Sequence, residues 1–167
     1  MHFRKLARLA PLLLLTAFLT NPARAAYASG QPCTASAADQ THILNTIDAM
    51  FAAAQIDDLT KFRNLADPAF YAYDNGKRFD GDALLNLIRD YHAKGYVFVW
   101  TVNHPEVHID CNTAWVTYVN RGSITDPSTR TTPMQWLESV ILRKESGNWR
   151  ILFLHSTRVP QPPPPQK

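Results

Sequence analysis

Apolar residues recur at helical spacing in the first half of the chain and at strand spacing in the second. Ile43, Leu44, Ile47, Met50, Phe51 and Ala54 fall on one stripe, which predicts a helix over 39–54. Asp57 or Asp58 then caps a shorter helix carrying Leu59, Phe62 and Leu65, stopped by Asp67-Pro68. A short strand over 69–73 runs into Asp74-Asn75-Gly76, a tight-turn signal. Asp80 caps a third helix that turns Leu84, Leu87, Ile88 and Tyr91 inward and ends at Gly95.

Beyond Gly95 the period changes from 3.6 to 2. Residues 96–102, 106–110, 113–121, 132–144 and 149–159 are rich in β-branched and aromatic side chains. They are broken by Pro105, Cys111-Asn112, Asp126-Pro127 and Ser146-Gly147-Asn148. Helices followed by a run of antiparallel strands define an α+β fold with the helices on one face of a curved sheet. In the last strand Leu152 and Leu154 alternate with Ile151 and Phe153, so both faces are apolar. That pattern predicts an outer sheet face covered by a second copy of the chain, a homodimer.

The N-terminus obeys neither pattern. Arg4, Lys5 and Arg8 precede an apolar run over 9–19, and Ala23-Arg24-Ala25 supplies small residues of the kind a signal peptidase reads. Residues 1–25 are therefore expected to be an export signal, cleaved after Ala25 or Ala26, and the apolar run is short for a membrane span. The expected mature protein is secreted or periplasmic, has no membrane segment, and comprises an N-terminal arm over 26–38, one domain over 39–159 and a Pro-rich tail over 160–167 that cannot pack.

Removing the signal also changes the charge. Four of the 17 Lys and Arg residues and none of the 14 Asp and Glu lie in it, so the formal +3 becomes −1. No basic run remains to attract phosphate backbones, which argues against a nucleic-acid partner. Cys33 and Cys111 are the two cysteines, and export would put them in an oxidising compartment. The expectation is a Cys33–Cys111 disulfide tethering the arm to the sheet, by about 4 kcal/mol for so long a loop; the alternative is two unpaired thiols.

The order of elements, the Asp74-Asn75-Gly76 turn, and above all the ending Leu142-Arg143-Lys144-Glu145-Ser146-Gly147-Asn148-Trp149-Arg150-Ile151-Leu152-Phe153-Leu154-His155-Ser156 resemble the nuclear transport factor 2-like superfamily. The nearest flavour is its SnoaL-like and ketosteroid-isomerase-like bacterial domains, and the resemblance covers nearly all of residues 39–159. It implies a cystatin-like cone: a bent sheet wrapped around the first helix, a pocket at the open end, and commonly a dimer through the outer sheet face. In ketosteroid isomerases a catalytic carboxylate follows the first short strand; that place matches Tyr73, with Asp74 one residue later and turned to the other face. The acid of the oxyanion hole falls near Ser139, beside Glu138, and the tyrosine of the first helix falls near Met50. None of the three residue types carries across.

Two side chains stand out for chemistry. Glu138 lies in the apolar stretch Trp136-Leu137-Glu138-Ser139-Val140-Ile141, where a carboxylate must be paired or protonated. It reads either as a general acid or base or as a carboxylate bonded across the sheet. His155, on the next strand, is its expected partner inside the cone, although moving the hairpin by one residue would reverse its face. Tyr71, Tyr73, Trp100, Trp115, Tyr118 and Trp136 are the large side chains expected to line a pocket or fill the core. His104, Glu106 and His108 alternate, but Pro105 breaks the geometry, so no metal site is expected and the group reads as a polar rim.

Two functional classes follow. One is an exported domain that binds a small apolar or aromatic molecule without a cofactor, or acts as a dimeric accessory to other proteins. The other is a cofactor-independent SnoaL-like isomerase, cyclase or dehydratase that moves protons with Glu138 and His155.

Overall fold

The computed structural model describes residues 36–160. The expected export signal, most of the arm with Cys33, and the tail beyond Pro160 lie outside the described residues. Among the described residues no helix is long and apolar enough to cross a membrane.

Helix α1 spans Ala37–Gln55 and starts two residues before the expected position 39. The reason is a capping box: the Ser36 hydroxyl accepts from the Asp39 N–H while the Asp39 carboxylate accepts from the Ser36 N–H. Helix α2, Leu59–Leu65, follows its expected Asp58 cap, whose carboxylate accepts from the Lys61 N–H at 2.9 Å. Strand β1 then runs over Ala66–Asp74, so Asp67-Pro68 opens a strand rather than only closing a helix. The Asn75-Gly76 turn, with φ of +48° and +73°, folds β1 onto a four-residue strand, β2 (Lys77–Asp80), that the periodicity alone did not reveal.

Asp80 therefore ends β2 and caps nothing. Helix α3, Ala83–His92, has Asp82 at its N-cap position, but the Asp82 carboxylate is taken by Arg63 at 3.0 and 2.5 Å instead of by the helix N–H groups. Leu84 and Leu85 are buried, whereas Leu87 and Tyr91 stay partly exposed.

Four long strands follow: β3 (Val97–Asp110), β4 (Thr113–Thr125), β5 (Thr131–Glu145) and β6 (Asn148–Arg158). The sheet order is β2-β1-β6-β5-β4-β3, antiparallel except for β1 beside β6, which run parallel. Pro105 does not divide β3. It sits in a bulge between Asn103 and Glu106, with His104 at φ +51°, and the strand continues beyond it. At Gly122, facing Trp100, a Cβ would run into the Val99 carbonyl, so this close approach of β3 and β4 requires glycine.

The inner face of the sheet carries Ala114, Val116, Val140, Leu142, Ile151 and Leu154, packed with Ile43, Ile47 and Met50 of α1. A bulge at Leu152 decides which face the end of β6 presents. Leu142 pairs with Ile151 but Ile141 pairs with Phe153, so the inward positions change from Trp149 and Ile151 to Leu154 and Ser156. The bulge thus accounts for part of the two-sided apolar pattern within a single chain.

The α+β expectation is borne out: helices pack on one face of a curved, unclosed, mostly antiparallel sheet.

Candidate functional site

A cavity of about 310 Å³ opens between α3 and the inner face of the sheet's open end. Its walls are largely apolar and aromatic, with Phe51 from α1, Leu87 and Tyr91 from α3, Phe98 and Trp100 from β3, and Trp136 from β5. Leu87 and Tyr91, which stay partly exposed, both line this cavity. Phe98 and Trp100 stack in parallel at 5.4 Å, and Phe51 leans on Trp100 at 5.8 Å.

The polar groups gather where β1, β5 and β6 meet. Glu138, Asp74, Ser156 and Arg158 all line the cavity. Glu138 is 6 % exposed and is held from both neighbouring strands: Asn120 Nδ2 donates to Oε2 at 3.0 Å and the Ser156 hydroxyl donates to Oε1 at 2.9 Å. Asn120 is itself anchored by the Thr101 N–H, which donates to its Oδ1 at 2.9 Å. Burial pushes the Glu138 carboxyl above its ordinary range; its hydrogen bonds oppose the rise, and the Asp74 charge adds to it. Burial also raises Asp74, against a hydrogen bond from Asn75 and the charge of Arg158. The Tyr118 hydroxyl is buried and makes no hydrogen bond of good geometry with any described residue. It is pushed well above the usual phenol range, first by burial and then by Glu138 beside it.

The structure brings together only some of the residues expected here. Glu138, Trp100 and Trp136 line the cavity, and Tyr118 stands on the same inner face behind Glu138. His155 does not face Glu138. It pairs in register with Ser139 and is exposed on the outer face, while Glu138 pairs with Ser156, because the Leu152 bulge reverses the parity. Tyr71 and Tyr73 also point outward, packed against Phe153 and, for Tyr73, against His155. Trp115 is exposed on the outer face and stacks on His108 at 5.0 Å. Asp74 faces the cavity and Tyr73 does not, so the carboxylate stands one residue beyond the position matched from ketosteroid isomerases.

Asp74, Asn120 and Ser156 are thus site residues missing from the sequence expectation. The available signal was a polar residue at an inward parity of an otherwise apolar strand, as in Tyr118-Val119-Asn120. The His104, Glu106 and His108 rim is solvent-exposed, and among the described residues no three His, Cys, Asp or Glu side chains gather as metal ligands would.

A half-open sheet closed over by helices, with a cavity at its open end, defines the class of nuclear transport factor 2-like, or cystatin-like, α+β domains. Solved structures share the fold. The putative dehydratase of the NTF2-like family from Streptomyces avermitilis superposes with a TM-score of 0.62 at 16% identity, covering 73% of this chain and 97% of that one. The ketosteroid isomerase-like protein from Erwinia carotovora gives 0.60 at 16%, covering 72% and 96%. The association domain of C. elegans CaMKII gives 0.60 at 20%, covering 72% and 95%. Within this class the chain belongs to the SnoaL-like domain family, whose sequence profile matches residues 43–161. No curated protein matches the chain.

Proposed function

We propose that the protein is an exported small-molecule-binding domain that takes a small apolar or aromatic molecule into the cavity between α3 and the sheet, with no cofactor. The observation that carries this reading is the cavity itself: about 310 Å³, aromatic-walled, with its polar groups confined to one end. That volume lies at the lower end of the range of about 300 to 1,000 Å³ usual for ligand pockets, which suits a molecule of one or two rings. Native mass spectrometry of the purified protein tests it directly. A copurifying mass lost in Trp100→Ala is the expected result, and a protein that neither carries nor takes up any apolar small molecule would refute the reading.

A second reading, proton transfer in an isomerase, cyclase or dehydratase, gains support from Asp74, which stands near Glu138 where His155 was expected. Two carboxyls raised by burial in one cavity suit general acid–base work. Its test is deuterium exchange into a panel of small enolisable ketones, with loss in Asp74→Asn.

Export, the disulfide and the dimer belong to the same proposal. Cys111 sits at an exposed turn between β3 and β4 with φ +55°, so a Cys33–Cys111 bridge would tether the arm to this turn of the sheet. Intact mass and thiol titration of secreted protein should show an N-terminus at or near Ala26 and no free thiol. Tyr73, Trp115 and Leu137 leave 42 %, 46 % and 52 % of their surface exposed on the outer face, which supports a homodimer there; light scattering at micromolar concentration checks it.

A further inference from the structure

The cavity's polar end has an unbalanced charge. Among the described residues that line it, Asp74 and Glu138 are acidic and Arg158, largely solvent-exposed, is the one base. Arg158 acts on Asp74, whereas Glu138 receives neutral donors from Asn120 and Ser156 and no cation. The other groups nearby do not repair the imbalance. Tyr118 on β4 is a neutral phenol, and Asp48 on α1, whose field reaches Tyr118, is a further negative charge.

A buried carboxylate without a cation is unfavourable, and a second one beside it makes matters worse. A ligand bringing a positive charge would remove both penalties at once. The remaining walls fit the rest of such a ligand: the faces and edges of Phe51, Phe98, Trp100 and Trp136 supply stacking surface, and aromatic faces attract cations.

Deepening the small-molecule reading above, on which it rests, we propose that the cavity selects an aromatic or apolar amine in its cationic form, with the ammonium between Asp74 and Glu138 and the ring against Trp100 and Phe98. An anion of the same shape meets two carboxyls, and a neutral analogue leaves them uncompensated. Ammonium binding also favours the ionised carboxyls, so it releases protons wherever these are partly protonated in the free protein.

Isothermal titration with three indoles of similar shape separates the possibilities: tryptamine, neutral tryptophol and anionic indole-3-propionate. Tryptamine is expected to bind at least about tenfold more tightly than tryptophol, a difference corresponding to one charge pair, and indole-3-propionate not at all. Asp74→Asn should weaken tryptamine about tenfold and leave tryptophol within about twofold. Glu138→Gln should act likewise, and titration in buffers of different ionisation enthalpy at pH 5.5 should show protons released by tryptamine and not by tryptophol.

If tryptophol or indole-3-propionate binds as tightly as tryptamine, or if neither substitution changes the preference, the amine assignment is overturned while the pocket reading stands. If none of the three indoles binds, the amine assignment falls, and the pocket reading falls with it only if native mass spectrometry also finds no bound small molecule.

Discussion

The two ends of the β5–β6 hairpin treat a carboxylate in opposite ways. Near the hairpin turn, Asp39 accepts from Lys144 Nζ at 2.6 Å, Trp149 Nε1 at 2.9 Å and the Ser36 hydroxyl at 2.9 Å, and these donors hold it well below the usual carboxylate range. At the same end Asp67, its side chain 1 % exposed, accepts from Arg143 at 2.6 Å and from the Ala69 N–H at 2.8 Å. At the other end of the same strands Glu138 and Asp74 are pushed up. The difference lies in the partners: at the closed end the sheet supplies a cation to each acid, while at the open end it supplies neutral donors to Glu138 and one exposed arginine near Asp74. The closed end is built for stability, and the open end keeps its electrostatics incomplete, as binding sites commonly do.

Four tests break or sharpen this contrast. The largest effect is expected from Gly122→Ala, which drives a Cβ into the Val99 carbonyl beside Trp100. It should lower stability by about 3 kcal/mol in urea unfolding, as overpacking does at its upper range, and should damage the cavity while leaving the Asp39 end intact. Asp67→Ala strikes the closed end, stripping a buried ion pair and a capped backbone N–H. Because Arg143 is half-exposed and can turn to water, the loss should be nearer about 2 kcal/mol than the about 3 to 5 of a fully buried pair, read in the same assay.

The third test uses pH. Asp39 is lowered in the folded state, so its contribution is present above the unfolded carboxylate value of about 3.9 and is lost as pH falls through the folded value. Glu138 and Asp74 are raised, so the stability linked to their protonated forms is fully present below their unfolded values of about 4 and is lost as pH rises through the folded ones. Thermal unfolding between pH 3 and 8 should therefore show a shallower acid-side slope in Asp39→Asn, with Asp126, also lowered, supplying part of what remains, and should lose its slope toward neutrality in Asp74→Asn/Glu138→Gln. Glu138→Gln alone should be at least as stable as the parent at pH 7.5, by up to about 1 kcal/mol, since the amide can still bond Asn120 and Ser156 without a buried charge.

The smallest effect belongs to Tyr118→Phe. Its hydroxyl is buried without a partner of good geometry, so removing it should be neutral or stabilise by about 0.5 kcal/mol in urea unfolding. A clear loss would mean that the phenol does bond Glu138 and that the open end is better satisfied than the contrast requires.

Much of this architecture was legible along the chain. The stripe from Ile43 to Ala54, the Asp58 cap, the Asn75-Gly76 turn and the strands after Gly95 follow from local spacing and turn chemistry, and the resemblance carried by residues 142–156 led to the right family. Glu138 was also findable, as one carboxylate inside an apolar strand. Its partner was not. Counting by twos along β6 from Trp149 and Ile151 puts His155 inside, and the bulge at Leu152 puts Ser156 there instead. Strand β2 has too few residues, and too many charges, to show a period.

What the sequence determined by itself was the kind and order of elements, because helical and strand periods and turn residues act over a few neighbours. Which carboxylates share a cavity, and which histidine leaves it, was decided only in the folded sheet. A bulge shifts parity by one residue through pairing with a distant strand, and a carboxyl's protonation depends on whether such a strand brings it a cation or a neutral donor.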